Sequence, residues 1–185
     1  IKVAKYFRNT QVRAIDLSKS SLAYAQQMAN QFKLNNIEFI QQDILQLDDK
    51  PEYHIIECSG VLHHMQDIKT GLQKLKNKLL PEGLIKLGLY ASEARKSVKE
   101  IRNIIQEQQI KDDDQGIRLL RQALLRQNLP SYKKVLNSAD FYSLSGCRDL
   151  LFHVSEITVT PLEIESLLQQ EHMEFLGFVR LPNEL

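Results

Sequence analysis

His54-Ile-Ile-Glu-Cys-Ser-Gly-Val-Leu-His-His-Met65 is the stretch on which the reading of the fold turns. A short apolar run stops at small polar residues, Cys58-Ser59-Gly60, and His63 and His64 follow at once. In a parallel α/β sheet the carboxyl ends of the strands are where ligands sit, and small residues there let a ligand approach the backbone. Upstream, Val12-Arg-Ala-Ile-Asp16 and Ile37-Glu-Phe-Ile-Gln41, with Asp43 just beyond it, are two more strand candidates that end in acids. Three polar strand tips describe a nucleotide-like pocket rather than a packed core alone.

Between these strands the apolar spacing becomes helical. Ser18 is placed to N-cap a helix, along which Leu22, Ala25, Ala29 and Phe32 recur at helical spacing. Asn35 and Asn36 suit its C-terminal turn, and Asp48 to Glu52 reads as a further turn. Leu72, Leu75 and Leu79 mark a second amphipathic helix, broken by Pro81-Glu82-Gly83, and Leu84 to Tyr90 reads as another strand. Residues 12–91 therefore alternate strand and helix, the pattern of a parallel sheet with right-handed crossovers. Residues 93–128 read as polar helices, broken by Asp112-Asp113-Asp114 and Gly116, with Ile117, Leu120 and Leu124 as an apolar stripe. Ser131 to Asp149 is less regular, with Phe141 to Gly146 as a loop-like core, and Leu150 to Val154 is short and apolar. Thr160-Pro161 opens a helix, proline suiting the first turn, and Glu174 to Arg180 reads as a last strand. The expected organisation is one domain over residues 1–185, with 92–156 a mostly helical insertion or lid.

Composition narrows the classes. The chain has 185 residues, enough for one domain with a sizeable core. Its formal net charge of +1 gives no bulk electrostatic reason to bind nucleic acid or an anionic membrane. No apolar run approaches the ~20 residues of a membrane helix. Cys58 and Cys147 make no disulfide framework, and among His63, His64, His153, Cys58 and Cys147 no pair has a recognised ligand spacing, so no metal is expected. Reduced thiols and a cytoplasmic location are the expectation. The sequence starts at Ile1 in what reads as the end of a helix, so a fragment is expected.

The acids carry the chemistry. A carboxylate at a strand tip can accept two hydrogen bonds from vicinal ribose hydroxyls, and Asp16 is placed for this; it equally suits the start of a helix or a nicotinamide cofactor. Asp43 can accept from an adenine amino group, or serve turn chemistry.

Val12-Arg-Ala-Ile-Asp16-Leu-Ser18, Ile37-Glu-Phe-Ile-Gln-Gln-Asp43-Ile44, Ser59-Gly-Val-Leu-His-His64 and Leu80-Pro-Glu-Gly83 in succession resemble the motifs of class I S-adenosylmethionine-dependent methyltransferases. The subtype resembled most is the bacterial methyltransferase domain fused to tetratricopeptide repeats. That likeness extends to Gly88-Leu-Tyr90, Phe141-Tyr-Ser-Leu-Ser-Gly-Cys-Arg-Asp149, Leu150-Leu-Phe-His-Val154 and Glu174-Phe-Leu-Gly-Phe178. The resemblance implies a Rossmann-like α/β sheet with helices on both faces and S-adenosylmethionine as cofactor. It implies that Asp16 binds the ribose with Leu17 beside the adenine, and that Asp43 and Ile44 flank the adenine. Ser59 and Gly60 match the tip near the methionine part, and His63 and His64 the pocket mouth.

The family's glycine-rich loop, an acid followed by Gly-x-Gly, precedes the ribose acid; here no glycine stands before Gly60. A missing first strand is therefore expected. His54 replaces an acid usual ahead of the fourth strand's apolar run, and Pro-Glu-Gly replaces Pro-Gly-Gly. His63 and His64 are candidates for a general base, a histidine pKa lying near neutrality, or are a packing pair. Tyr90 can face the acceptor or the core. Arg118, Arg121 and Arg126 form a basic stripe or a solvated helix face. Phe141 to Asp149 can close over a substrate or connect the insertion to the sheet. Methyl transfer to an unidentified acceptor by in-line displacement is the reading these residues favour, with a non-catalytic protein-interaction module on a degenerate methyltransferase fold as the alternative. A nicotinamide-dependent dehydrogenase shares Asp16 but leaves Asp43-Ile44 and Gly-Val-Leu-His-His unexplained.

Overall fold

A computed structural model describes residues 1–152 and 156–179, which form two compact units. The first comprises residues 1–57 and 69–86, and the second residues 58–68 and 87 onward.

In the first unit a short helix α1 (Lys2–Tyr6) precedes β1 (Val12–Asp16), α2 (Lys19–Gln31) and β2 (Ile37–Gln41). β1 and β2 pair in parallel, with Val12 opposite Ile37 and Asp16 opposite Gln41, as the alternation predicts. Ser18 caps α2, its Oγ accepting from the Ser21 N–H at 3.2 Å. Ala4, Ala29 and Leu34 are buried together, with Val12, Ile37 and Phe39 packed against them. Asn36 differs from its expected role as a helix-end residue. Lys33 takes the left-handed turn (φ 52°), and Asn36 is buried, its Nδ2 donating to the carbonyls of Ala4, Phe7 and Thr10 at 3.1, 3.2 and 2.9 Å. One side chain thus holds α1 and the following turn against the start of β2.

β3 (Tyr53–Ser59) and β4 (Leu79–Gly88) form a second two-stranded sheet, with α3 (Ile68–Asn77) between them in sequence. Leu72 and Leu75 lie on the buried side of α3. Leu79 is not helical as expected. α3 stops at Asn77, and β4 runs through Pro81-Glu82-Gly83, with Glu82 in the left-handed region (φ 61°). A Cβ on Gly83 would lie 2.8 Å from the Leu80 carbonyl, so only glycine fits this bend. Among the described residues no ladder joins β1 to β3. A polar side chain links them instead: Arg13 on β1 donates to the Tyr53 hydroxyl on β3 at 2.8 Å, and also to Glu38 on β2 at 3.0 Å, while Lys78, only 3% exposed, contacts Asp48 at 2.6 Å and Glu52 at 2.7 Å just ahead of β3.

In the second unit β5 (Tyr90–Ala91) pairs in parallel with β6 (Thr158–Val159). Between them lie α4 (Lys96–Glu107), α5 (Asp114–Gln127), α6 (Lys133–Leu136) and α7 (Leu144–Phe152), and α8 (Pro161–Gln170) follows. Ile117, Leu120 and Leu124 are buried as their spacing predicts. The helical stretch is broken ahead of Asp114 as expected, and Asp113 caps the second helix, its Oδ1 accepting from the Gly116 N–H at 2.7 Å. Gly116 lies within the first turn because a Cβ there would strike the Lys111 carbonyl. Thr160 and Glu163 form a reciprocal capping box with Pro161 in the first turn, the start the sequence predicts.

Two expectations in this unit are corrected. Phe141 to Gly146 is not a loop: short helical turns carry Phe141 into the core, where it is fully buried among Ile117, Leu120 and Leu151. The short apolar run from Leu150 is the buried end of α7 as far as Phe152, and His153 and Val154 lie outside the described residues. Glu174 to Val179 forms no strand: Phe175, Leu176, Phe178 and Val179 are exposed, with no ladder to fix an extended chain. Arg180 lies outside the described residues. Of the three stripe arginines, Arg118 and Arg126 are solvated, whereas Arg121 is half-buried with its guanidinium 5.6 Å from the Phe141 ring centroid.

Candidate functional site

The first unit supplies two acids at the carboxyl ends of neighbouring parallel strands. Asp16 ends β1 and is exposed. Its Oδ1 accepts from the Ser18 N–H at 2.8 Å, and its second oxygen has no hydrogen bond among the described residues. Leu17 beside it is 65% exposed, although its carbonyl accepts from Gln41 Nε2 at 3.0 Å. Asp43 stands two residues past β2 and repeats the device, Oδ1 accepting from the Leu45 N–H at 2.9 Å. Ile44, half-buried, follows it. Asp16 turns the chain into the Ser18 cap and Asp43 caps a short helical turn, and each uses one carboxylate oxygen for this. An exposed leucine next to such a carboxylate gives this tip an apolar as well as a polar surface.

The second unit has a strand tip of its own. Gly60 has φ 77°, which redirects the chain after β3, and its N–H donates to the Gly88 carbonyl at 3.3 Å. Ser59 faces Gly88 so closely that a Cβ on the glycine would lie 2.8 Å from the Ser59 Cβ. A tight turn, Leu62–His64, then points His63 inward. His63 is 1% exposed; its ring lies 4.2 Å from that of His64 and 4.0 Å from that of Tyr90. Neither ring nitrogen has a hydrogen-bond partner among the described residues, while its backbone carbonyl accepts from the Ile157 N–H at 2.8 Å. Burial, then His64 and Arg95, push the His63 pKa below its ordinary value against the opposing pull of Glu156 and the Gly88 backbone. The ring is therefore neutral at pH 7 and carries a lone pair.

A network with no local sequence pattern lies beside Tyr90. The Arg95 guanidinium stacks 3.5 Å from the Tyr90 ring centroid. Arg95 donates from Nε and Nη2 to the two oxygens of Glu156, both at 2.9 Å. Arg102 Nη2 donates to Glu156 Oε2 at 3.0 Å and to the Leu150 carbonyl at 2.9 Å. Arg95 and Glu156 are about sixty positions apart, a separation that spacing rules do not reach. Among the described residues no cluster could hold a metal ion, and no helix is long and apolar enough to cross a membrane.

A family model described as a methyltransferase domain matches residues 1–141. An uncharacterized protein from Synechococcus is 26% identical over 181 residues, 92% of this chain and 43% of that one. The (S)-tetrahydroprotoberberine N-methyltransferase of Eschscholzia californica is 25% identical over 83 residues, 45% of this chain and 24% of that one. Among solved structures, PKMT2 from Rickettsia typhi in complex with AdoHcy aligns with a TM-score of 0.74 at 22% identity, over 98% of this chain and 39% of that one. The likeness in structure is one of fold. The chain spans less than half the length of these relatives.

Proposed function

The chain belongs to the methyltransferase domain family, and from that premise we propose that it is the S-adenosylmethionine-binding part of an enzyme that methylates an acceptor. The observation that carries this is the pair Asp16 and Asp43, standing at the ends of parallel neighbours with one carboxylate oxygen used locally and the other left over. That donor set fits an adenosine: Asp16 would accept from the ribose hydroxyls, Asp43 from the adenine amino group, and Leu17 and Ile44 would cover the base. In the second unit, Ser59 and Gly60 match by motif the family's residues for the methionine part. AdoHcy in the PKMT2 complex supports the same cofactor class.

When bound, S-adenosylmethionine supplies a methyl group already activated on a sulfonium, so the protein's part is proximity and orientation. His63 and His64 would hold or take a proton where the acceptor is protonated, and Tyr90 would orient it. His63 is suited to accept because burial keeps it neutral. Residues 92–156 would choose the acceptor. The relatives' greater length is compatible with further domains, and tetratricopeptide repeats belong to the same proposal.

The test is equilibrium binding of methyl-labelled S-adenosylmethionine to the natural full-length protein. Saturable binding, displaced by S-adenosylhomocysteine, is expected. Absence of saturable binding would sink the proposal.

A further inference from the structure

Arg95 stands where its own helix gains nothing from it. It is the N-cap residue of α4 and makes no side-chain capping bond, and a cation at a helix N-terminus opposes the helix dipole. Its guanidinium is instead turned onto Tyr90 and gripped from the other side by Glu156, whose side chain is 2% exposed. Arg102 shares the same carboxylate. A fork locked on two oxygens has one geometry, unlike a lysine on the same acid. The ring it covers is the one that lies 4.0 Å from His63. The contacts therefore run without interruption from Arg102 through Glu156, Arg95 and Tyr90 to His63 and His64.

We propose that Arg95, locked by Glu156, is a positioning residue that fixes Tyr90 and, through it, the His63 ring at the strand tip. The functional sense of this rests on the methyl-transfer reading above, since that reading gives Tyr90 and His63 their acceptor-facing roles. A purely structural ion pair predicts something different: its loss would lower stability and leave the surroundings of His63 as they were.

The experiment reads the histidine directly and needs no acceptor. In the natural full-length protein the His63 ring proton resonances are assigned by their loss in His63→Gln. They are then followed in Arg95→Lys, Arg95→Gln and Glu156→Gln. In the wild type, stacking against Tyr90 displaces these resonances from their random-coil position. Arg95→Gln and Glu156→Gln are expected to move them back toward it, and Arg95→Lys, which keeps the charge but not the fork, to move them partway. The titration midpoint adds a signed check, with His64, Tyr90, Arg95, Glu156 and the Gly88 backbone as the groups facing the ring. Glu156→Gln lowers the midpoint and Arg95→Gln raises it.

His63 resonances and midpoint unchanged in folded variants would overturn the proposal. Should the single substitutions unfold the protein, Arg95→Met combined with Arg102→Met and Glu156→Leu removes the three charges together, an exchange buried ion clusters often tolerate. That triple variant must still release the His63 resonances. S-adenosylhomocysteine binding is measured alongside. Its absence in the wild type defeats the methyl-transfer reading, while the His63 spectra still decide whether Arg95 positions the ring.

Discussion

Gly88 and Ser59 approach so closely that a Cβ on Gly88 would lie 2.8 Å from the Ser59 Cβ and 2.9 Å from its Oγ. The carboxyl ends of β3 and β4 meet at that contact, and the Gly60 N–H to Gly88 carbonyl bond seals it. Gly88→Ala forces the strands apart and is expected to cost about 1–3 kcal/mol, the range for overpacking. Ser59→Gly in the same chain removes the obstructing side chain but not the Ser59 Cα, 3.0 Å away, and should return part of that loss. Urea unfolding of the two single variants and the double variant measures the coupling; simple additivity would show that the contact is not the cause.

Lys78 carries an ammonium that burial disfavours, yet hydrogen bonds to Asp48 and Glu52 outweigh burial and raise its pKa. The same bonds hold both carboxylates below their ordinary range. For the acids the sign is that of a depressed folded pKa: their contribution is present above the unfolded carboxylate range, near pH 4, and is lost as pH falls through the folded values. For the lysine it is the reverse, present below its unfolded value and lost as pH rises through the raised one. Lys78→Met is expected to flatten the acid limb of stability against pH. Urea midpoints from pH 3 to 7 check it, and an acid limb as steep as the wild type's would contradict it.

Much of this was legible in the sequence for physical reasons, and what was not has equally physical ones. Period-two alternation in Val12–Asp16 and Ile37–Gln41, and period-3.6 spacing in Ile117, Leu120 and Leu124, are local signals, and the corresponding elements form. Ser18 and Thr160-Pro161 announce helix starts by chemistry that acts within three residues. Phe141 to Gly146 misleads because it straddles the single helical turn that carries Phe141 and the Ser-Gly start of α7, so neither part leaves a period to register and a core phenylalanine reads as loop. Asn36 misleads because its partners lie in α1 and the following turn, 26 to 32 positions away. Glu174 to Val179 has strand composition, but composition states a preference and a ladder needs a neighbour. At the candidate site, the strand-tip acids and the histidine pair were visible, whereas Arg95, Arg102 and Glu156 come together only through the fold.

Asn36 is expected to be worth more than its exposed neighbour Asn35. Its Nδ2 serves three backbone carbonyls, one buried and two part-buried, and Asn36→Ala removes all three bonds, at about 1–3 kcal/mol. Because the lost bonds anchor α1 and the turn after it, the damage should concentrate there. Trypsin cleavage after Lys2, Lys5 and Arg8 should accelerate in Asn36→Ala ahead of cleavage elsewhere. Uniform acceleration along the chain would mean that Asn36 acts on global stability rather than as a local clamp.

Asp16 joins a turn role and a proposed ligand role in one carboxylate, and Asp16→Asn separates them. An amide oxygen can still accept from the Ser18 N–H, so the turn into α2 and its Ser18 cap persist. What disappears is the negative charge on the oxygen left over for the ribose hydroxyls. Charge-assisted hydrogen bonds contribute about 1.5–3 kcal/mol against roughly 1 for neutral ones, so affinity for S-adenosylhomocysteine should fall about tenfold while thermal stability stays near the wild type's. Asp16→Ala removes both roles and should lower affinity and stability together. Calorimetric titration of both variants in the full-length protein, paired with thermal melts, distinguishes the two. Equal affinity in the wild type and Asp16→Asn would leave Asp16 a helix-starting residue only, and the adenosine would have to be held by other groups.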